Sequence, residues 1–220
     1  MNPSTTARPS TPASPAPLDL DRHPLTGRHV RLEPYADALR DALRAALDCD
    51  PGAWQLFAVN GQGKDFDTWW RTVNALGGAG EWVAYAVRSR ATDTIVGTTS
   101  FLNLKRTRQS VEIGGTFLQP DVRGTLVNAE AKYLMLAHAF ACGARRVELL
   151  TDLRNVRSQA AIAKLGAVRE GVLRRERVTW TGHVRDSVLF AVTDLDWPEV
   201  RARLERRLGI QPMENVKHEP

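Results

Sequence analysis

The segment at residues 151–158, TDLRNVRS, brings polar side chains to the place where a strand-like run changes into a helix-like run. At such a junction Asn155 could hydrogen-bond an amide group, and Ser158 could lie beside a reacting atom. Turn formation and helix capping are the ordinary roles of both residue types. The pattern predicts the junction but does not decide between these two interpretations.

A second junction, at residues 111–141, predicts an anion-binding site. Residues 111–118 alternate as a strand does, an RGT turn follows at 123–125, and the composition from 128 to 141 favours a helix. The first turn of a helix leaves backbone N–H groups without partners, at the positive end of the helix dipole. We therefore expect a phosphate or pyrophosphate group to bind there.

Several common catalytic motifs are absent from the sequence. It contains no GxxxxGK[ST], GxSxG or HExxH segment, and its five histidines are scattered without a metal-binding spacing. Cys49 and Cys142 lie far apart with no CxxC spacing, which is typical of free thiols in a reducing cytoplasm. We therefore expect no metal, and neither an NTPase, a serine hydrolase nor a zinc hydrolase.

Charge and hydropathy limit the partners of the chain. A formal net charge of +5 fits a polyanionic ligand, which is either a nucleic acid or a phosphorylated cofactor. A basic and aromatic stripe and a helix-turn-helix pattern are both missing, so nucleic acid is not the favoured partner. No apolar run reaches the length of a membrane helix, and the N-terminus lacks a signal-peptide pattern. These features predict a cytoplasmic protein that does not contact a membrane.

The periodicity of the chain predicts an α/β (mixed α+β) fold in one domain, residues 21–210. Residues 1–20, rich in Pro, Ser and Thr, are expected to be a disordered tail, and residues 211–220 a flexible one. Strands are predicted at 29–34, 82–87, 95–102, 111–118, 146–151, 167–173 and 184–192, and helices at 37–47, 66–76, 128–141, 156–165 and 198–208.

These elements imply one mixed sheet with helices on both faces. The strands at 111–118 and 146–151, joined by the helix at 128–141, are expected to be parallel, with a right-handed crossover. Ligands bind beside the carboxyl ends of such strands. Both junctions described above lie at those ends, so the sequence predicts one cleft between them.

Three segments carry a resemblance to a known family: VEIGGTFL, RGTLVNAEAKYLMLAHAF and RVELLTDLRNVRSQAAIAKLGAVREGVLR. They are similar to the GCN5-related N-acetyltransferase (GNAT) superfamily, and most closely to its branch of ribosomal-protein alanine acetyltransferases, RimJ and RimL. The similarity extends over about residues 25–208. It implies a GNAT-like, mostly antiparallel sheet that is splayed at a central parallel pair.

The resemblance also implies an activity. It points to an N-acetyltransferase that moves an acetyl group from acetyl-CoA to a primary amine, by direct transfer in a ternary complex. Either a protein N-terminus or a small-molecule amine fits as the acceptor, and a homodimer is common among relatives. The alternative is a non-catalytic acyl-CoA-binding or sensor domain with the same fold.

Site residues follow from the resemblance position by position. The residues implied to contact acetyl-CoA are Leu118, Arg123, Gly124, Thr125, Leu126, Val127, Asn128, Ala129, Asn155 and Ser158. Leu126 stands where the family's phosphate loop carries a second glycine, so we expect a differently shaped loop. Ile162 stands where many members have the tyrosine that protonates the departing thiolate. Ser158 is therefore the expected proton donor.

An attacking amine must be neutral, and a free lysine amine is mostly protonated at pH 7. A general base is therefore useful, and Glu112 is the first candidate because its side chain leaves the apolar face of its strand. An ion-paired or edge-facing role is the alternative for Glu112. Asp152 is a second candidate base, for which a turn or capping role is the alternative. Trp54, Phe57 and Asp152 are expected to bind the acceptor, whose identity no charge pattern reveals.

Overall fold

The computed structural model describes residues 16–211, which form one mixed sheet with helices on both faces. The strands are β1 (Leu25–Thr26), β2 (Val30–Pro34), β3 (Val83–Ser89), β4 (Thr94–Lys105), β5 (Ser110–Leu118), β6 (Arg146–Asp152), β7 (Val168–Val178) and β8 (Val184–Thr193). The helices are α1 (Arg40–Leu47), α2 (Pro51–Trp54), α3 (Phe66–Gly78), α4 (Leu126–Ala141), α5 (Val156–Leu165) and α6 (Trp197–Leu208).

The eight strands lie in the order β1-β2-β3-β4-β5-β6-β8-β7. Every pair of neighbours is antiparallel except β5 and β6, which are parallel as predicted. Their pairing stops after three residues of each strand, at Glu112 opposite Glu148. Because β5 continues to Leu118 and β6 to Asp152, the two strands diverge and the sheet splits there.

A bulge in β5 accompanies this split. On the β4 side Gly114 pairs with Ser100 and Phe117 with Thr98, so β5 carries one extra residue across this interval. Gly115 adopts a left-handed conformation, with φ of 57°, that suits glycine. A bulge bends its strand and increases the local twist. The end of β5 therefore turns away from β6.

Alternation along the strands builds a core on each face of the sheet. Val111 and Ile113 of β5 join the core cluster that includes Met135 of α4 and Ile162 of α5. On the opposite face, Phe117 packs in a second cluster with α1 and α3. Side chains between these positions, Glu112 among them, point away from α4 and α5.

Glu130 ties the first strands of the sheet to α4. Its carboxylate accepts hydrogen bonds from the backbone N–H groups of Arg28, His29 and Val30 at 2.8, 2.5 and 2.8 Å, and its side chain is buried. Gly27 leaves room for it, since a Cβ atom at that position would lie 2.3 Å from the carboxylate carbon. The contact closes the turn between β1 and β2. No motif or spacing in the sequence predicts this contact.

Some predicted boundaries were wrong. Helix α4 begins at Leu126 rather than near residue 128, because Thr125 caps it, and α3 continues through Gly78. The C-terminal boundary of the tail predicted for residues 1–20 lies too far along the chain, because the apolar side chains of Leu18 and Leu20 are buried in the main core. Residues 1–15 and 212–220 lie outside the described part, so both tails otherwise stay predictions.

Other predictions can be checked on the same residues. Cys49 and Cys142 are free thiols, as predicted. None of the helices within residues 16–211 combines the length and the apolar character that a bilayer span requires.

We expect Glu130→Gln to lower the free energy of unfolding by about 2 to 4 kcal/mol. The amide nitrogen would face three N–H donors, and the buried charge-assisted bonds would be lost. Urea unfolding followed by circular dichroism measures the change. Glu81→Gln, at an exposed position, is the matched control and should change stability by less than about 0.5 kcal/mol. Equal stabilities for the two variants would contradict the clamp.

Candidate functional site

A cavity of about 420 Å³ lies where β5 and β6 diverge. Lys132 and Ser158 line it from the face that carries α4 and α5. Glu112, Arg177 and Arg185 line it from the opposite face. The cavity therefore passes through the split sheet, and groups from both faces can meet in it.

The start of α4 forms one end of this cavity. Gly124 adopts a left-handed conformation, with φ of 81°, and no other atom lies within 4 Å of where its Cβ would be. Thr125 is the N-cap, and its Oγ1 accepts from the N–H of Val127 at 3.3 Å. The remaining first-turn N–H groups have no partner inside the helix. An open turn with free donors at the positive end of a 16-residue helix suits an anion.

The other residues predicted for the phosphate loop divide into two groups. Leu118, Arg123 and Asn128 line the cavity with Gly124. Thr125, Leu126, Val127 and Ala129 do not line it; the last two are core residues, and Leu126 forms the first turn of α4. The expected loop is therefore shorter than the sequence suggested, because residues 126–128 are already helical.

The side chain of Arg123 is occupied within the protein. Its Nη1 donates to Oδ2 of Asp50 at 2.6 Å, and its Nε donates to the carbonyl of Leu118 at 2.7 Å. The guanidinium also lies over the ring of Phe117, 5.6 Å from its centroid. Arg123 therefore holds the turn against β5 and α2.

Asn155 and Ser158 combine the two roles that the sequence left open. Asn155 caps α5, since its Oδ1 accepts from the N–H of Ser158 at 3.0 Å. Both residues also line the cavity. No side chain or carbonyl among the described residues bonds to the hydroxyl of Ser158. This hydroxyl is free to donate to a group in the cavity.

Glu112 is a buried acid without an ion pair inside the described range. Its side chain lines the cavity, and its Oε2 accepts from Nδ2 of Asn103 at 2.7 Å. Burial raises the pKa of Glu112 above its ordinary value, and the hydrogen bond from Asn103 opposes this only in part. A carboxylate with a raised pKa accepts a proton more readily than a solvated one. This supports the interpretation of Glu112 as a base over the ion-paired alternative.

The three residues predicted to bind the acceptor lie in different environments. Trp54 is a core residue: its indole N–H donates to the carbonyl of Leu47 at 3.0 Å, and its ring stacks on Phe117. Phe57 lines the cavity. Asp152 also lines it, and although burial raises its pKa, the hydrogen bonds and charge of Arg154 hold that pKa below the ordinary range. Asp152 is thus a paired anion and a poor base.

Lys132 is a residue of the cavity that the sequence analysis missed. Its Nζ donates to the hydroxyls of Thr99 and Thr116 at 2.8 and 2.6 Å, and no carboxylate of the described chain pairs with it. Burial lowers the pKa of Lys132 from 10.5 to about 7. A lysine on the apolar face of a predicted helix was the available signal.

Arg177 and Arg185 were also missed. They lie opposite each other on β7 and β8, and both line the cavity on the face of Glu112. The sequence feature that could have indicated them is the alternation of the strand at 184–192, which places Arg185 on the same face as Ser187. That pattern is equally typical of a solvated edge, so only the structure places them.

Outside the cavity, three potential metal ligands converge. Asp21, His138 and Cys142 each offer one ligand atom, and these atoms lie within 4.8 Å of one another. Sequence spacing could not reveal this group, because Asp21 precedes β1 whereas the other two end α4. The expectation that the chain uses no metal stays a prediction.

Comparisons with known proteins agree with this geometry. A family model described as an acetyltransferase (GNAT) domain matches residues 29–168. This range contains the split between β5 and β6 and the starts of α4 and α5. A comparison with the curated proteins finds no match.

Solved structures resemble the chain over most of its length. A candidate acetyltransferase from T. thermophilus is 37% identical, with a TM-score of 0.76, over 86% of this chain and 98% of that one. A GCN5-related N-acetyltransferase from Brucella melitensis is 25% identical, with a TM-score of 0.81, over 90% of each chain. RimJ of Mycobacterium smegmatis, solved in complex with CoA-disulfide, shares the fold at 20% identity, with a TM-score of 0.70 over 82% and 89%.

We expect Lys132→Met to raise the free energy of unfolding at pH 7, by an amount on the order of a few kcal/mol. Between pH 7 and 10.5 the unfolded chain holds a proton on Lys132 that the folded chain has released. The wild type therefore gains stability as the pH rises through this window, and the variant lacks that gain. Thr99 and Thr116 still bond to each other at 2.8 Å.

Denaturant unfolding at pH 7, 8.5 and 10 measures this effect, and the advantage of the variant should shrink towards zero at the highest pH. Lys164→Met, at an exposed position on α5, is the control and should show no such trend. A variant that is less stable than the wild type at every pH would contradict the neutral, buried lysine.

Proposed function

The chain belongs to the GNAT acetyltransferase family, and from this premise we propose that it acetylates a primary amine by direct transfer in a ternary complex with acetyl-CoA. Members of this family are N-acetyltransferases that use acetyl-CoA. The observation that carries the proposal is the cavity through the split sheet, with the open turn before α4 on one face and the buried carboxylate of Glu112 on the other. The acceptor amine belongs to a protein N-terminus or to a small molecule.

The residues on the α4 and α5 face fit acetyl-CoA. The open turn at Gly124 and the first-turn N–H groups of α4 would hold its pyrophosphate, and Asn155 and Ser158 would flank its pantetheine and thioester. The bound cosubstrate supplies an acetyl group activated as a thioester. Because Arg123 is occupied by Asp50, backbone donors rather than this guanidinium supply the phosphate contacts.

The amine enters from the opposite face, where Glu112 takes its proton. The carboxylate of Glu112 lines the cavity on that face, and its raised pKa improves it as a base. Lys132 is the other neutralisable group, but it lies on the α4 face and bonds to two threonines. It is therefore less suited to receive a proton from the acceptor.

Ser158 protonates the departing thiolate in this proposal. Its hydroxyl is free and lines the cavity, one helical turn before Ile162, which also lines it and cannot donate a proton. No tyrosine lines the cavity within residues 16–211. A non-catalytic sensor gains no support from the site, because a candidate base and a candidate acid share one cavity. A homodimer and a cytoplasmic location stay predictions.

We expect Ser158→Ala to lower kcat by about 10- to 100-fold while it changes the affinity for acetyl-CoA by less than about 3-fold. The hydroxyl donates only as the thiolate departs, so its loss affects the chemical step. Thiol release in an amine screen gives kcat, and acetyl-CoA-dependent thermal stabilisation gives affinity. A wild-type protein that millimolar acetyl-CoA does not stabilise would contradict the proposed function itself.

We expect Glu112→Gln to lower kcat/KM by about 100-fold and to remove one limb of the pH profile. In the wild type, activity falls as the pH drops through the raised pKa of Glu112, because protonation removes the base. Only the titration of the acceptor amine should remain in the variant. The control is Glu199→Gln, at an exposed position on α6 that does not line the cavity. An unchanged profile in Glu112→Gln would assign the base elsewhere.

A further inference from the structure

Arg185 is a buried cation whose charge is not matched by an acid. Its side chain is only 7% exposed, and its Nε donates to the hydroxyl of Ser187 at 2.8 Å. Its two terminal nitrogens have no hydrogen-bond partner in the described part of the chain, and no carboxylate there lies within 4.0 Å of them. Because Arg185 lines the cavity, these nitrogens open into it.

The charged groups around Arg185 already have partners. Glu176 accepts two hydrogen bonds from Arg177, the one from Nε at 2.5 Å. Asp152 pairs with Arg154 at 2.8 Å. Each of these carboxylates is bonded to another arginine, and they act on Arg185 only from beyond ion-pair distance.

Glu112 is the remaining acid near Arg185. Its Oε2 accepts from the side chain of Asn103, and it forms no ion pair with Arg185 within the described range. A guanidinium whose terminal nitrogens open into a cavity and hold no acid is available to an anionic group of a ligand.

The position of Arg185 is on the acceptor side of the split. Ser187 pairs with Asp152, the last residue of β6, and Arg185 lies two residues beyond it on the same face. Glu112 and Glu148 share this face through their pairing across β5 and β6. A molecule whose amine reaches Glu112 would therefore pass beside the two terminal nitrogens of Arg185.

We infer that Arg185 binds a carboxylate group of the acceptor, so that the substrates are amines that also carry a carboxylate. This inference rests on the proposed function and names its substrate class. The terminal nitrogens of a guanidinium form a planar fork that matches the two oxygens of a carboxylate. A free amino acid and a peptide with a carboxylate near its N-terminus both present this chemistry.

A carboxylate fits this place better than a phosphate does. Arg177 gives its Nε and Nη2 to Glu176, and Ser187 is bonded to Arg185 and Glu176, so the two-nitrogen edge that holds no acid is that of Arg185. One fork satisfies a carboxylate but leaves further oxygens of a phosphate without donors.

The test measures kcat/KM for matched pairs of amines with saturating acetyl-CoA. One arm uses free L-amino acids and their carboxamides, and a second uses dipeptides with aspartate or asparagine as the second residue. We expect the carboxylate member of at least one arm to be preferred by about 10- to 100-fold, and Arg185→Met to reduce that preference to below about 3-fold. The readout is therefore the ratio of kcat/KM between the carboxylate member and its neutral partner, which Arg185→Met should lower whatever its effect on the neutral member.

Arg174→Met, at an exposed position on β7, is the control and should keep the wild-type preference. Arg185→Lys keeps the positive charge but lacks the planar guanidinium, so it should keep only part of the preference for the carboxylate member. Melting temperatures of all variants establish folding, and if Arg185→Met is unfolded, Arg185→Lys and Arg185→Gln replace it.

Neutral members acetylated as well as their carboxylate partners, or a preference that survives Arg185→Met, would overturn the inference. Failure of the proposed function looks different, because no amine of either arm would then release CoA thiol. In that case the same pairs are compared by thermal shift in the presence of CoA. Stabilisation by the carboxylate member alone, lost in Arg185→Met, supports the anion site, and its absence overturns it.

Discussion

The early end of the parallel pairing between β5 and β6 is the constraint on which the site depends. Two strands joined through a helix are held together for three residues and then diverge, because a bulge at Gly115 bends β5 towards β4. A continuous sheet would separate the two faces completely. The split instead opens a passage between the proposed anion site at α4 and the side chain of Glu112. The thioester and the amine can then approach each other from opposite sides.

An opening through the core brings ionisable groups into a poorly solvated place, and the protein compensates each of them differently. Burial lowers the pKa of Lys132 to about 7, and its Nζ bonds to two hydroxyls. Glu112 keeps a single amide partner and a raised pKa. Arg185 cannot lose its charge at ordinary pH and has one hydroxyl partner. Such groups reduce stability in the free protein, and they are favourable where a ligand or a proton transfer uses them.

Helix α4 connects this chemistry to the stability of the fold. Its first turn forms the proposed anion site, and Lys132 in its second turn reaches the cavity. Glu130 fixes the backbone between β1 and β2. A helix that is clamped at its start holds its first-turn N–H groups in place. Pre-oriented donors bind an anion without the entropic cost of ordering a loop. The short turn at Gly124 serves the same end, because little chain between β5 and α4 is free to move.

The sequence by itself determined most of the elements, the parallel pair and the two junctions that flank the cleft. Those features depend on local periodicity and turn chemistry, which are determined by residues close to one another in the sequence. The tertiary structure alone decided that Trp54 is a core residue, that Arg123 is occupied by Asp50, and that Lys132 and Arg185 face the cavity. Each of these outcomes depends on contacts between distant parts of the chain. The burial, charge state and free hydrogen-bonding groups of a side chain are set by its neighbours in space. The local sequence does not show which residues those neighbours are.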